Sequence, residues 1–163
     1  MSKTRFMELY DEMIDLANAE GLGDPFTYGR GKEIYLAQWL GHTTADTLAG
    51  ADGVDENGAE VEYKSTINKN IKATYNGVSV QDTWEEQVDY LKTKKIGKYH
   101  THYFSRFDKN GLAEVWSMDA QTVLDLLLPK LEKGFFAPTK GKDPRLGATI
   151  SKREIYANGT RLK

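Results

Sequence analysis

The sequence contains no cysteine at all. That absence excludes a disulfide scaffold, a cysteine nucleophile and a thiolate metal site. Long apolar runs are also missing. The greasiest stretch, Val123 to Leu128, is broken by Asp125 and stopped by Pro129, far short of the ~20 residues that span a membrane. Acidic residues, Glu8, Asp11, Glu12 and Asp15, crowd the N-terminus, unlike the basic start of a signal or transit peptide. The expectation is a cytoplasmic protein with no membrane partner. Histidine is scarce, with only His42, His100 and His102. The His100-x-His102 pair lacks the further ligands of a zinc site, so these three read as core or surface residues. No repeat and no low-complexity linker interrupts the 163 residues, which suffice for one domain with a real core.

Charge is unevenly distributed. The formal net charge is only −2, yet residues 1–62 hold 4 Lys/Arg against 13 Asp/Glu, and residues 63–163 hold 18 against 11. A basic half on a nearly neutral chain points to a polyanionic partner.

Apolar residues at helical spacing predict a helix over 4–20, ended by Gly21 and Gly23. A second helix, Glu33–Gly41, is apolar on most sides and reads as buried. Residues 50–67 change to an alternating period around Asn57–Gly58, a hairpin signal, and a third extended stretch covers about 70–80. Thr83–Trp84–Glu85–Glu86 is a capping box opening a helix whose Lys92, Lys94 and Lys95 suit its C-terminal end. Strands Tyr99–Phe107 and Leu112–Met118 flank the turn Asp108–Lys109–Asn110–Gly111. Asp119 caps a helix to about Lys133, with a kink or early stop expected at Pro129. Residues 134–149 read as loop, and Thr149–Ala157 with Thr160–Lys163 as a last hairpin around Asn158–Gly159. Such an order predicts an α/β fold with a mixed sheet.

One stretch carries chemistry. Glu60, Glu62 and Lys64 alternate, so on a strand they share one face, while Val61 and Tyr63 turn to a core. Charges on an internal strand are costly unless paired. A two-residue Asn57–Gly58 loop would set Asp52 opposite Tyr63. A three-residue Glu56–Asn57–Gly58 loop, with Gly58 left-handed, pairs Asp55 with Ala59 and Asp52 with Glu62. Directly opposed residues have Cβ atoms ~4.5–5.5 Å apart, so the two carboxylates then repel unless a cation sits between them or one takes up a proton. Mg²⁺, a hard ion that prefers oxygen, suits the cation's place. Lys64 would lie beside the metal and its water. The three-residue loop is inferred from this requirement.

An Asp, a turn and then Glu-x-Lys is the signature of the PD-(D/E)xK nuclease superfamily, here Asp52 and Glu62–Tyr63–Lys64. The whole stretch Asp52–Gly53–Val54–Asp55–Glu56–Asn57–Gly58–Ala59–Glu60–Val61–Glu62–Tyr63–Lys64–Ser65 resembles the catalytic hairpin of a type II restriction endonuclease of that superfamily. Gly31–Lys32 before the helix Glu33–Gly41, Lys98–Tyr99 before a strand, and the ending Asn158–Gly159–Thr160–Arg161–Leu162–Lys163 are similar too. The resemblance covers most of the chain in order, and the hairpin is its specific part.

The resemblance implies a restriction-endonuclease-like fold, a mixed central β-sheet flanked by helices, in a single domain spanning 1–163. Residues 1–45 would be helical and a candidate dimerisation region, helix 4–20 being either core packing or a dimer surface, with the catalytic and DNA-binding core in 46–163. It implies a Mg²⁺-dependent, sequence-specific endonuclease that cuts double-stranded DNA as a homodimer. Asp52, Glu62 and Lys64 would be catalytic, the two carboxylates as metal ligands and Lys64 acting on the attacking water. Glu33 is either a further acidic residue near the metal or a favourable charge at a helix start. Tyr99 either lies near the scissile phosphate or is a core-edge tyrosine. The histidine cluster that follows the catalytic strand in the similar enzyme is absent. A longer segment, Thr66 to Gly97, stands in its place, so no target sequence carries over.

Within that segment Asn76, Ser79 and Gln81 are residue types that read base edges. Lys69, Lys72, Lys140, Lys142, Arg145, Lys152 and Arg153 are candidate phosphate contacts. Two other readings stay open: a phage or repair nuclease of the same fold acting on branched or damaged DNA, and a non-catalytic DNA-binding protein.

Overall fold

The computed structural model describes residues 3–45, 50–137 and 145–163. The chain forms two compact units, Met1–Ala59 and Glu60–Lys163.

The first unit opens with helix α1 (Lys3–Ala19), ended where Leu22 N–H bonds to Ala17 O at 2.8 Å and Gly21 takes a positive φ of 66°. Helix α2 (Arg30–Leu40) starts three residues before the expected Glu33 and stops at Gly41, whose φ of 75° suits a residue without Cβ. Leu36 and Ala37 are buried as expected, but Tyr35 and Trp39 are largely exposed. Strands β1 (Thr43–Thr44) and β2 (Gly53–Val54) pair antiparallel. Arg30, 2% exposed, ties this unit together: Nε donates to Leu22 O at 2.7 Å and Nη2 to Ala45 O at 2.5 Å.

In the second unit β3 (Glu60–Thr66) lies parallel to β5 (Thr101–Asp108). Strand β6 (Gly111–Asp119) is antiparallel to β5, and β8 (Thr160–Arg161) is antiparallel to β6. Strands β4 (Ala73–Val78) and β7 (Leu146–Ile150) form a separate antiparallel ribbon. Helix α3 (Trp84–Tyr90) carries the expected Thr83–Glu86 capping box and widens into a π-helical turn over Leu91–Lys95. Helix α4 (Ala120–Phe135), capped by Asp119, packs on β5, β6 and β7. One apolar core joins Phe104 and Met118 of the sheet, Leu124, Leu127 and Leu131 of α4, and Tyr75 and Ile150 of the ribbon. This is the expected α/β class, a mixed sheet flanked by helices in the restriction-endonuclease-like manner.

Two further expectations need correction. Of the kink or early stop expected at Pro129, the stop does not occur: helix α4 runs through Pro129 to Phe135, close to the expected end at about Lys133. Pro129 and Asp125, whose carbonyl loses its partner four residues on, both face solvent, where water can satisfy that carbonyl. Leu127 and Leu131 are buried on either side of the proline. The C-terminal hairpin is not formed either. Strand β7 begins inside the expected loop, and Ser151 caps helix α5 (Lys152–Asn158) through a second capping box with Glu154. Ser151-x-x-Glu154 repeats the Thr83-x-x-Glu86 signature, and its local bonds override the strand-like pattern. Pro138, Gly141, Pro144, Lys140 and Lys142 lie outside the described residues.

The C-terminal segment is anchored by Glu114. Its carboxylate accepts from Arg106 Nε at 2.7 Å, Trp116 Nε1 at 3.1 Å and the Tyr156 hydroxyl at 2.9 Å. No helix of the described residues is long and apolar enough to cross a membrane.

Candidate active site

The turn after β2 is the three-residue loop. Asp55 N–H donates to Ala59 O at 3.0 Å, Gly58 N–H returns to Asp55 O at 3.0 Å, and Gly58 has φ 82°. The Asp55 carboxylate locks the turn by accepting from Asn57 N–H and Ala59 N–H, both at 2.9 Å. Asp55 is therefore a turn residue, as its place in the motif suggests. Asp52 enters β2 half-buried, its carbonyl accepting from Ala45 N–H at 3.3 Å. Glu33 sits in the first turn of α2 with its carboxylate 3.6 Å from Arg30 Nη1, a placement that also suits the helix start.

Glu62 and Lys64 belong to the second unit, on β3. Val61 and Tyr63 are buried on one side of the strand, and Glu62 and Lys64 are half-buried on the other. The parallel register sets Glu62 beside His102 and Lys64 beside Phe104 of β5. Lys64 Nζ is hydrogen-bonded to Glu62 Oε1, lies 3.4 Å from Tyr63 O, and stands 5.4 Å from the centre of the Tyr75 ring. Glu60, at the exposed start of the strand, pairs with Lys98 at 3.5 Å and is a rim charge.

Behind this pair is a buried aromatic cluster. The Tyr75 hydroxyl is 2.9 Å from His102 Nδ1, and His102 Nε2 is 3.0 Å from Ile96 O. Tyr99 meets the His102 ring edge-on at 5.9 Å, with Lys98 Nζ 4.8 Å from the Tyr99 ring centre. Burial pushes the His102 pKa down to about 4; the Ile96 bond opposes this and nearby Lys64 adds to it. His102 is thus a neutral, hydrogen-bonded core histidine at pH 7. Tyr99 is 8% exposed, at the edge of this cluster.

The DNA-reading candidates are spread over one ribbon and two helix starts. Asn76 is exposed on β4 and shares a surface groove with Gly77, Arg145 and Gly147. Gln81 bonds to Ser79 O at 3.4 Å and lies beside Asp82, Glu85, Glu86 and Asp89, acidic company for a phosphate. Lys69 and Lys72 are exposed ahead of β4, and Lys152 and Arg153 are exposed in the first turn of α5.

The structure therefore brings Glu62 and Lys64 together, places Asp52 in the other unit, and adds Tyr75 and His102 to the site. Neither of these two was legible as a partner of Lys64, because the approach of the Tyr75 ring to Lys64 and the Tyr75–His102 bond join residues distant in the sequence. Among the described residues no three His, Asp or Glu gather as a chelating group. Mg²⁺ asks for less, one or two carboxylates completed by waters and substrate phosphates. Glu62 supplies a hard oxygen donor of that kind.

No family model matches the chain, and no curated protein matches it.

Proposed function

We propose that this protein is a Mg²⁺-dependent endonuclease of the PD-(D/E)xK type, hydrolysing double-stranded DNA at a specific sequence as a homodimer. The observation that carries the reading is the Glu62 carboxylate and Lys64 ammonium held side by side on one half-buried strand face. The three-residue loop downstream of Asp52 supports it, since that loop is the one the metal argument requires.

Asp52 and Glu62 would hold the metal. When bound, the ion polarises a phosphoryl oxygen and lowers the pKa of a coordinated water. Lys64 orients the attacking water and offsets charge growing on the phosphate in the transition state. The products are a 5′-phosphate and a 3′-hydroxyl. Two-stranded β-ribbons fit the major groove, and the β4–β7 ribbon presents exposed Asn76 and Arg145. Exposed Lys69, Lys72, Lys152 and Arg153 supply charge for phosphates. Dimerisation is supported by α1, which leaves Phe6, Met7, Tyr10, Met13 and Leu16 exposed.

Incubation with phage DNA and Mg²⁺, followed by sequencing of fragment ends, tests the reading. The expected result is discrete ends sharing one palindromic site. Cutting confined to branched or damaged DNA would replace restriction with repair, and no cutting would leave a binding protein.

A further inference from the structure

A buried polar chain stands behind Lys64. Ile96 O accepts from Tyr99 N–H at 3.3 Å and faces His102 Nε2 at 3.0 Å. A carbonyl only accepts, so Nε2 carries the proton. Nδ1 of the neutral ring is then an acceptor, and the Tyr75 hydroxyl donates to it at 2.9 Å. Tyr75, His102 and Ile96 are 6%, 0% and 2% exposed, so packing rather than solvent sets this chain. It fixes the Tyr75 ring 5.4 Å from Lys64 Nζ, within the ~6 Å range over which a ring attracts a cation.

The chain starts from an irregular helix. Leu91 O accepts from both Ile96 N–H at 2.8 Å and Gly97 N–H at 3.0 Å where α3 widens into its π turn. A Cβ on Gly97 would stand 2.3 Å from Lys92 O, so the widened turn is built around a glycine.

We infer that Tyr75 and His102 are positioning residues for Lys64. This rests on the nuclease reading and deepens it. An ammonium held by Glu62 alone would lose its place whenever that carboxylate turned to a cation. Beside the Tyr63 carbonyl at 3.4 Å, the Tyr75 ring, aimed by His102, gives Lys64 a resting surface that a metal does not compete for.

The test uses full-length wild type, Tyr75→Phe and Tyr75→Leu. The first readout is the NMR signal of Lys64 CεH₂ in ¹³C-lysine-labelled protein, assigned by its loss in Lys64→Arg. A ring-current upfield displacement is expected in wild type, less in Tyr75→Phe and none in Tyr75→Leu. The second is single-turnover cleavage beside DNA affinity. Tyr75→Leu should cut at least ~10-fold slower with unchanged affinity, and Tyr75→Phe, which keeps the ring and the packing, should fall between. An undisplaced Lys64 signal in wild type overturns the inference whether or not the variants fold. So does wild-type cutting by Tyr75→Leu, with the nuclease reading intact. No cutting by wild type overturns the nuclease reading instead, and the NMR signal still decides whether Tyr75 holds Lys64.

Discussion

Lys64 rests its ammonium on the Glu62 carboxylate, and both stand on the side of β3 opposite the buried Val61 and Tyr63. The pairing offsets the cost of a half-buried carboxylate. It also means that a cation reaching Glu62 must share or displace the ammonium. Cleavage is therefore expected to require Mg²⁺ or Mn²⁺ and to stop in excess chelator. Ca²⁺, larger and looser in geometry, should support DNA binding with little cutting. Gel assays of plasmid cleavage beside filter binding check this, and full cleavage in chelator removes the metal mechanism.

Substitutions at the three motif residues separate their roles. Asp52→Ala and Glu62→Ala should abolish cutting and leave DNA binding in place, since removing a carboxylate eases the approach of phosphate. Lys64→Arg keeps the charge but changes its geometry and cannot release a proton near neutral pH. It should bind DNA within about tenfold of wild type and cut at least ~10²-fold slower. Single-turnover rates and filter binding at two salt concentrations decide it. Near-normal cutting by Lys64→Arg would leave Lys64 as an electrostatic clamp.

Local signals were legible because their hydrogen bonds close within a few residues. The Thr83–Glu86 box, the Asp119 cap and the Asn57–Gly58 turn all form where the residue types place them. The loop length followed from charge: of the two- and three-residue forms, the latter would set Asp52 opposite Glu62 rather than Tyr63. Glu62 and Lys64 followed from strand alternation. Hidden from such reasoning was everything that depends on distant pairing. Tyr75 and His102 meet across 27 residues, and His102 reaches Glu62 only through a parallel pairing with a helix between the strands. Two-residue β1 is too short to show a period, and α5 carried a capping signature masked by apolar alternation.

Glu114 is the stability counterpart of the site. Three donors, from Arg106, Trp116 and Tyr156, converge on this 9%-exposed carboxylate. Burial alone would raise its pKa, and the three bonds together bring it below the ordinary value. Glu114→Ala would remove three hydrogen bonds whose donors are partly open to solvent, at a cost of about 1 kcal/mol or more. Urea unfolding should show that loss, with Glu114→Gln recovering part of it. A midpoint unchanged in Glu114→Ala would show that solvent replaces the carboxylate at no cost.

Glu154 predicts how stability responds to acid. Lys130 Nζ lies 2.6 Å from Oε1, and Ser151 N–H and Oγ–H donate to Oε2 at 2.8 and 2.7 Å. Burial would raise this carboxyl, but the bonds from Lys130 and Ser151 outweigh it and hold the pKa down to about 2 from 4.5. In the unfolded chain the proton binds near the ordinary value of 4.5; in the folded protein it is refused until about 2. Between these values the unfolded state holds more protons, so folding loses stability as pH falls. The contribution is complete above the upper value and gone below the lower one. Glu154→Gln removes the titration, so it should be less stable than wild type at neutral pH, with the gap closing in acid. Urea midpoints for both proteins at about pH 7 and pH 3 measure it. A gap of equal size at the two pH values would show that the Lys130–Glu154–Ser151 cluster holds no depressed carboxyl.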